Sequence, residues 1–167
     1  VNNSTLSGNT AGTFGGGIFN NGALTVSNST LSGNSANFGG GVFNNSNSTS
    51  TISNSTFSAN KATTIGGGIF NQISNGIVTL TNSTLSGNSA RGISDGGGIY
   101  NSGGSTLNIA NTIIANSTVI NLSSPINDYD GTGTVNPISP STAANNIVSQ
   151  GTFSWATTVS VLNLGPL

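Results

Sequence analysis

The chain has 167 residues, enough for one domain with its own core, yet only 3% of them are charged where about a quarter is usual. The charges are Lys61, Arg91, Asp95, Asp128 and Asp130, and there is no Glu, His or Cys. This excludes disulfides, thiol catalysis and zinc–thiolate sites, and without a basic patch it argues against nucleic acid as a partner. No apolar run approaches the about 20 residues of a membrane-spanning helix.

The chain opens on Val1 rather than Met and carries no signal peptide, so the expectation is a processed chain or a fragment. A repeat begins at once. "NSTLSGN" occupies 3–9, 28–34 and 82–88, "NSTFSAN" occupies 54–60, and a shortened "NTIIAN" occupies 111–116. The anchors Asn3, Asn28, Asn54, Asn82 and Asn111 are therefore 25, 26, 28 and 29 residues apart. After each anchor comes a variable loop, then "GGGIFN" or a variant (15–20, 39–44, 66–71, 96–101). A second variable loop follows, and then an alternating stretch such as "ALTVS" or "IVTLT". Gly, Ser, Thr and Asn are poor interior helix residues and no 3.6-residue period is present, so helices are implausible. Three short β segments per repeat of about 25 residues match one coil of a parallel β-helix, each coil stacked about 4.8 Å from the last.

The apolar positions then fall into inward columns: Leu6, Leu31, Phe57, Leu85 and Ile113; Ile18, Val42, Ile69 and Ile99; and Val26, Ile52, Leu80 and Ile109, with Leu24, Val78 and Leu107 two residues earlier. Asn recurs at the segment ends: at the anchors, at Asn9, Asn34, Asn60 and Asn88, and at Asn20, Asn44, Asn71 and Asn101. Asn accepts left-handed backbone angles and its amide can bond to equivalents above and below, so these residues read as structural ladders at the bends. The glycine run reads as a corner where the chain enters a strand through backbone that glycine adopts easily. A phosphate-cradling loop would occur once and open a helix, with a nearby Lys.

"FSAN" (57–60) and "GGGIF" resemble the FxxN and GGA[ILV] signatures of chlamydial polymorphic outer-membrane protein repeats, with Gly in place of the usual Ala. The longer phrasing, and the tail "NNIVSQGTFSW" (145–155) with "LGPL" (164–167), is similar to bacterial surface proteins with right-handed parallel β-helix repeats. The resemblance implies an all-β, right-handed parallel β-helix, a three-sheet β-solenoid of about 25–29 residues per coil. It also implies placement outside the cell or on its surface. Such tails usually continue in that family, so Leu167 is expected to be a cut end. Residues 1–116 make four regular repeats and the start of a fifth. Residues 117–167, which hold Trp155 and all four prolines, make irregular coils or a cap of the same domain.

Some parallel β-helices cleave polysaccharides, which takes two carboxylates placed across a bond. The close acidic pair here is Asp128 and Asp130 in "INDYDGTG", unsupported by Glu or His, so no catalysis is expected. The same pair, with Asn127, is a weak calcium candidate set against an ordinary Asp-Gly turn; otherwise no cofactor is expected. The "NST" sequons at the anchors are expected to point inward and escape glycosylation, whereas loop Asn47 is a better acceptor. O-linked sugars would help solubilise so uncharged a surface.

Outward positions form T-x-S rows: Thr25/Ser27, Thr51/Ser53 and Thr79/Thr81, and, beside the leucine column, Thr5, Thr30, Thr56 and Thr84 with Ser7, Ser32, Ser58 and Ser86. They are either the default of an uncharged sheet or a polar array of the kind that meets ice. Phe19, Phe43, Phe70 and Tyr100 follow inward residues and so should point outward. Three readings stay open for this ladder: packing under a covering segment, an assembly interface, or a stripe that stacks on glycans. Val1 falls in mid-strand, which predicts missing upstream residues or completion by another subunit, with head-to-tail stacking into a filament. The sequence thus reads as a structural, non-enzymatic surface solenoid, an adhesin or fibre subunit. Its partners would be its own copies, neighbouring domains of a larger surface protein, or glycans. The second reading is a solenoid that binds ice or glycans, and the third, ranked below it, is a carbohydrate-active β-helix enzyme or a silent relative of one.

Overall fold

A computed structural model describes residues 1–92, 96–120, 128–137 and 147–148. Among these there are only strands, turns and bends, and every strand pairing is parallel. Successive turns of the chain lie in register on one another, forming a parallel β-solenoid with a main core cluster running through it and a smaller one of Ala62, Ala90 and Val119.

Each full coil visits four sheets, one more than the sequence pattern predicts. The first sheet holds Thr5–Ser7, Thr30–Ser32, Thr56–Ser58, Thr84–Ser86, Ile113–Ala115 and Ile147–Val148. The second holds Ser35–Phe38, Lys61–Ile65, Ser89–Ala90 and Thr118–Val119. The third holds Ile18–Asn20, Val42–Asn44, Ile69–Asn71, Ile99–Asn101 and Tyr129–Asp130. The fourth holds Ala23–Ser27, Thr49–Ser53, Ile77–Thr81, Thr106–Ala110 and Thr134–Pro137. The second sheet occupies what the sequence presents as a variable loop. Its inward column is Ala36, Ala62, Ala90 and Val119, all buried, and alanine gives little β signal in a sequence.

The inward columns of the other sheets are as follows. Leu31, Phe57 and Leu85 are fully buried in line, as are Val42, Ile69 and Ile99, and Val26, Ile52 and Leu80. One position shifts. Leu85 is in register with Ile114, while Ile113 aligns with Thr84 and is exposed. The column therefore continues through Ile114, because the strand in "NTIIAN" begins two residues after Asn111, as it does after the other anchors.

The glycine triplet makes the corner between second and third sheets, and its members act differently. The first glycine (Gly15, Gly39, Gly66, Gly96) has positive φ, between 37° and 67°. The second and third do not; they are small for want of room. A Cβ on Gly40 would lie 2.5 Å from the Gly67 carbonyl oxygen and 2.6 Å from the Lys61 backbone, and one on Gly41 would lie 2.5 Å from the Gly68 carbonyl. Neighbouring coils therefore touch backbone to backbone at this corner.

Candidate functional site: the corners and the outer faces

The remaining corners carry side-chain ladders. Between first and second sheets stand Asn9, Asn34, Asn60 and Asn88, the last three fully buried. Each amide Nδ2 donates to the Oδ1 of the next: Asn9 to Asn34, Asn34 to Asn60, and Asn60 to Asn88, all at 3.0 Å. Each of these Oδ1 atoms also accepts the backbone N–H of the Asn before it, at 3.0 Å. Between third and fourth sheets Asn20, Asn44, Asn71 and Asn101 are joined side chain to side chain, each Nδ2 donating to the next Oδ1 at 2.8 Å. Buried amides must be satisfied, and a column of identical residues at coil spacing satisfies donor and acceptor together.

The anchor asparagines are different, and the inward placement expected for them is overturned. Asn3, Asn28, Asn54, Asn82 and Asn111 are exposed, with φ of 48–50°. They supply the left-handed turn between fourth and first sheets. The buried residue at that corner is the Ser after the anchor. The hydroxyls of Ser29, Ser55 and Ser83 donate to the carbonyl two residues back at 2.7–2.8 Å, and accept the N–H of the Ser in the preceding coil at 3.1–3.2 Å. The signal for this serine ladder was the invariant middle letter of "NST", hidden because Ser is common throughout the chain. Asn47 is exposed in a left-handed turn and accepts from Asn75 Nδ2 at 3.2 Å.

The aromatic ladder is largely covered. Phe43 is 1% and Phe70 7% exposed, Tyr100 is half-buried, and Phe19 is 49% exposed. The cover comes from the residue just before the glycine triplet. Because the triplet turns the chain sharply, Phe14 and Phe38 fold against the ladder, with ring centroids 4.5 Å apart for Phe14–Phe43 and 6.1 Å for Phe38–Phe70. Within the ladder, Phe19 and Phe43 stack at 5.5 Å, and Phe43–Phe70 and Phe70–Tyr100 meet edge-on at 5.2 and 5.6 Å. Phe43 and Phe70 are thus a second apolar layer outside the third sheet, and a continuous open stripe for sugars or a partner is not what these four residues form.

The acidic pair extends the solenoid. Tyr129 and Asp130 align with Ile99 and Tyr100 in the third sheet, which puts Tyr129 in the core and Asp130 in the outer ladder. Asp128 takes the place of the third glycine: its carbonyl accepts the Ile99 N–H as the Gly98 carbonyl accepts that of Ile69. It is fully buried, and its Oδ1 accepts the Ser117 backbone N–H at 2.7 Å. Ser117 stands where the other coils have the ladder Asn, so where that side chain shrinks to Ser, the facing Gly enlarges to Asp. The Oδ1 of Asp130 accepts the Gly131 N–H at 2.6 Å. The two carboxylates thus serve separate backbone groups, and Tyr129 stands between them. Burial pushes the Tyr129 phenol up to about 12, against an opposing pull from the Asn101 side chain. No group of three or more acidic, His or Cys side chains gathers among the described residues. Arg91 is exposed; Asp95, Asn127 and Trp155 lie outside the described residues.

The T-x-S positions form aligned outer columns. Thr25, Thr51 and Thr79 are in register on the fourth sheet, with Ser27, Ser53 and Thr81 beside them. Thr5, Thr30, Thr56 and Thr84 are in register on the first sheet, with Ser7, Ser32, Ser58 and Ser86. The fourth-sheet threonine column continues into Asn108 and Asn136, joined amide to amide at 3.2 Å.

No curated protein and no solved structure matches the chain. The family model for the Chlamydia polymorphic membrane protein (Chlamydia_PMP) repeat matches residues 54–72, which run from an anchor Asn through one glycine corner to the end of the third-sheet strand. On a parallel β-solenoid, then, this chain carries a coil similar to the repeat of the chlamydial polymorphic membrane proteins.

Proposed function

We propose that this chain is a cell-surface β-solenoid with a structural, non-enzymatic role, in adhesion or in fibre assembly. The observation that carries the reading is the match at 54–72 to a membrane-protein repeat, set in a solenoid whose buried asparagines and corner serines form ladders. Such a molecule projects a surface rather than enclosing a reaction, and it needs no cofactor. Its partners are further copies of itself or neighbouring domains of a larger surface protein, which suits a fold that grows by adding parallel strands.

Limited proteolysis of intact producing cells tests the placement: the chain should be digested while cytoplasmic markers survive. Negative-stain microscopy of the purified chain tests assembly, with filaments expected along the coil axis. Protection of the chain on intact cells, or turnover of a pectin-like polymer, would overturn the reading.

A further inference from the structure

In four successive coils the run from fourth sheet through anchor to first sheet has the same length; in the next, Thr134 and Ile147, which pair with Thr106 and Ile113, are thirteen residues apart rather than seven. Residues 23–33, 49–59, 77–87 and 106–116 are equivalent stretches of eleven, in register from start to finish. Among these four coils, the variation in length falls on the other side of the solenoid. Over these four coils, two sheets and the bend between them therefore form one wall without protruding loops. Among the described residues no charged side chain stands on this wall; Lys61 and Arg91 lie on or beside the second sheet and Asp128 and Asp130 on or beside the third.

The wall's outer chemistry is hydroxyl, methyl and amide, interrupted by the exposed Ile77 and Ile113. Thr25, Thr51, Asn28 and Asn54 are exposed, and the Thr and Ser columns flank them. The columns repeat at about 4.8 Å across the strands and roughly 6.6 Å along them. Parallel pairing on the ladders fixes these intervals, so the array is rigid before any ligand arrives.

We infer that this wall binds ice. A neutral, loop-free array suits a neutral ligand, because an ionic one would leave its charge unanswered on the wall. The array also suits a ligand that repeats at similar intervals, and oxygen rows on the faces of hexagonal ice come close to them. Soluble sugars are less well served: they dock on aromatic platforms, and the described wall has none. A second copy would bury mainly hydroxyls against hydroxyls, with apolar gain only around Ile77 and Ile113. This inference does not depend on surface placement or on fibre assembly.

The test uses the purified chain in dilute buffer. Ice crystals grown in its presence should be faceted, with a freezing point below the melting point, and recrystallisation should be slowed. Thr51→Lys places a charge in the middle of the wall and should reduce both effects to the level of buffer. Asn37→Lys, on the exposed second sheet, should leave them unchanged. Circular dichroism and melting temperature of both variants establish that each is folded. Absence of both effects in the unaltered chain, or their full survival in folded Thr51→Lys, would overturn the inference. So would binding of the wall to insoluble cellulose or chitin without any effect on ice.

Discussion

Two residue types, Gly and Asn, recur in every coil for more than one reason, and substitutions separate the reasons. Gly33 has φ of 61° with no atom closer than 4.0 Å to a would-be Cβ, and Ala59 holds the equivalent place at φ 53°. Gly33→Ala should cost only about 1 kcal/mol, the penalty of the left-handed region. Gly40 has ordinary φ but meets the backbone of the next coil, so Gly40→Ala should cost more than about 3 kcal/mol by forcing coils apart. Urea melts of the pair would reverse the ranking if conformation rather than space governed the triplet. Asparagine divides likewise. Asn54 is exposed and left-handed, so Asn54→Gly should change stability by only a few tenths of a kcal/mol. Asn60 accepts twice through Oδ1 and donates to Asn88 and to the Leu31 carbonyl at 2.9 Å. Asn60→Ala strands these groups and should cost about 3 kcal/mol or more.

At the scale of strands and corners, the rung at Tyr129 gives a pH prediction. Its folded pKa lies above the ordinary tyrosine value of 10.0, at about 12, and desolvation is the main cause. Between these values the unfolded chain has lost a proton that the folded chain keeps. The stability from this group is therefore fully present below pH 10 and is lost as pH rises towards 12. Denaturation midpoints measured across pH 8–12 should stay level and then fall, and Tyr129→Phe should flatten the fall. That rung also marks where the sequence was legible. Three of the four sheets were readable because Leu, Ile, Val and Phe alternate with Thr and Ser. The second was not, because its inward residues are Ala36, Ala62 and Ala90 and its strands vary from two to five residues. "NDYDGTG" looked like a turn because two acids and two glycines outweigh one Tyr in the sequence. In the fold, the register imposed by Ile99 and Tyr100 decides its conformation. The aromatic ladder was legible as residues pointing outward from the sheet. Its cover was not, since Phe14 and Phe38 reach it only through the turn at Gly15 and Gly39.

At the scale of the molecule, contacts among the described residues run from coil to coil and none of their sheets closes on itself. Stability should then be close to a sum over neighbouring coils. Phe57, fully buried between Leu31 and Leu85, is a suitable place to break that sum. Phe57→Ala should cost about 3–5 kcal/mol. Native-state hydrogen exchange should show the loss concentrated in the amides of residues 28–90, with smaller changes beyond Ile99. Equal loss at every amide would mean that the coils unfold as one unit.

The link between third and fourth sheets has a practical consequence. It holds two residues after Asn20, four after Asn44, five after Asn71 and four after Asn101, while the strands on either side keep their register. Nature has already tried several lengths in this slot without disturbing the ladders. A short epitope grafted between Asn71 and Ile77, and repeated after Asn44 and Asn101, would be held in a single file about 4.8 Å apart. The molecule is in that sense a ruler, on which the marks can be rewritten while the spacing stays fixed.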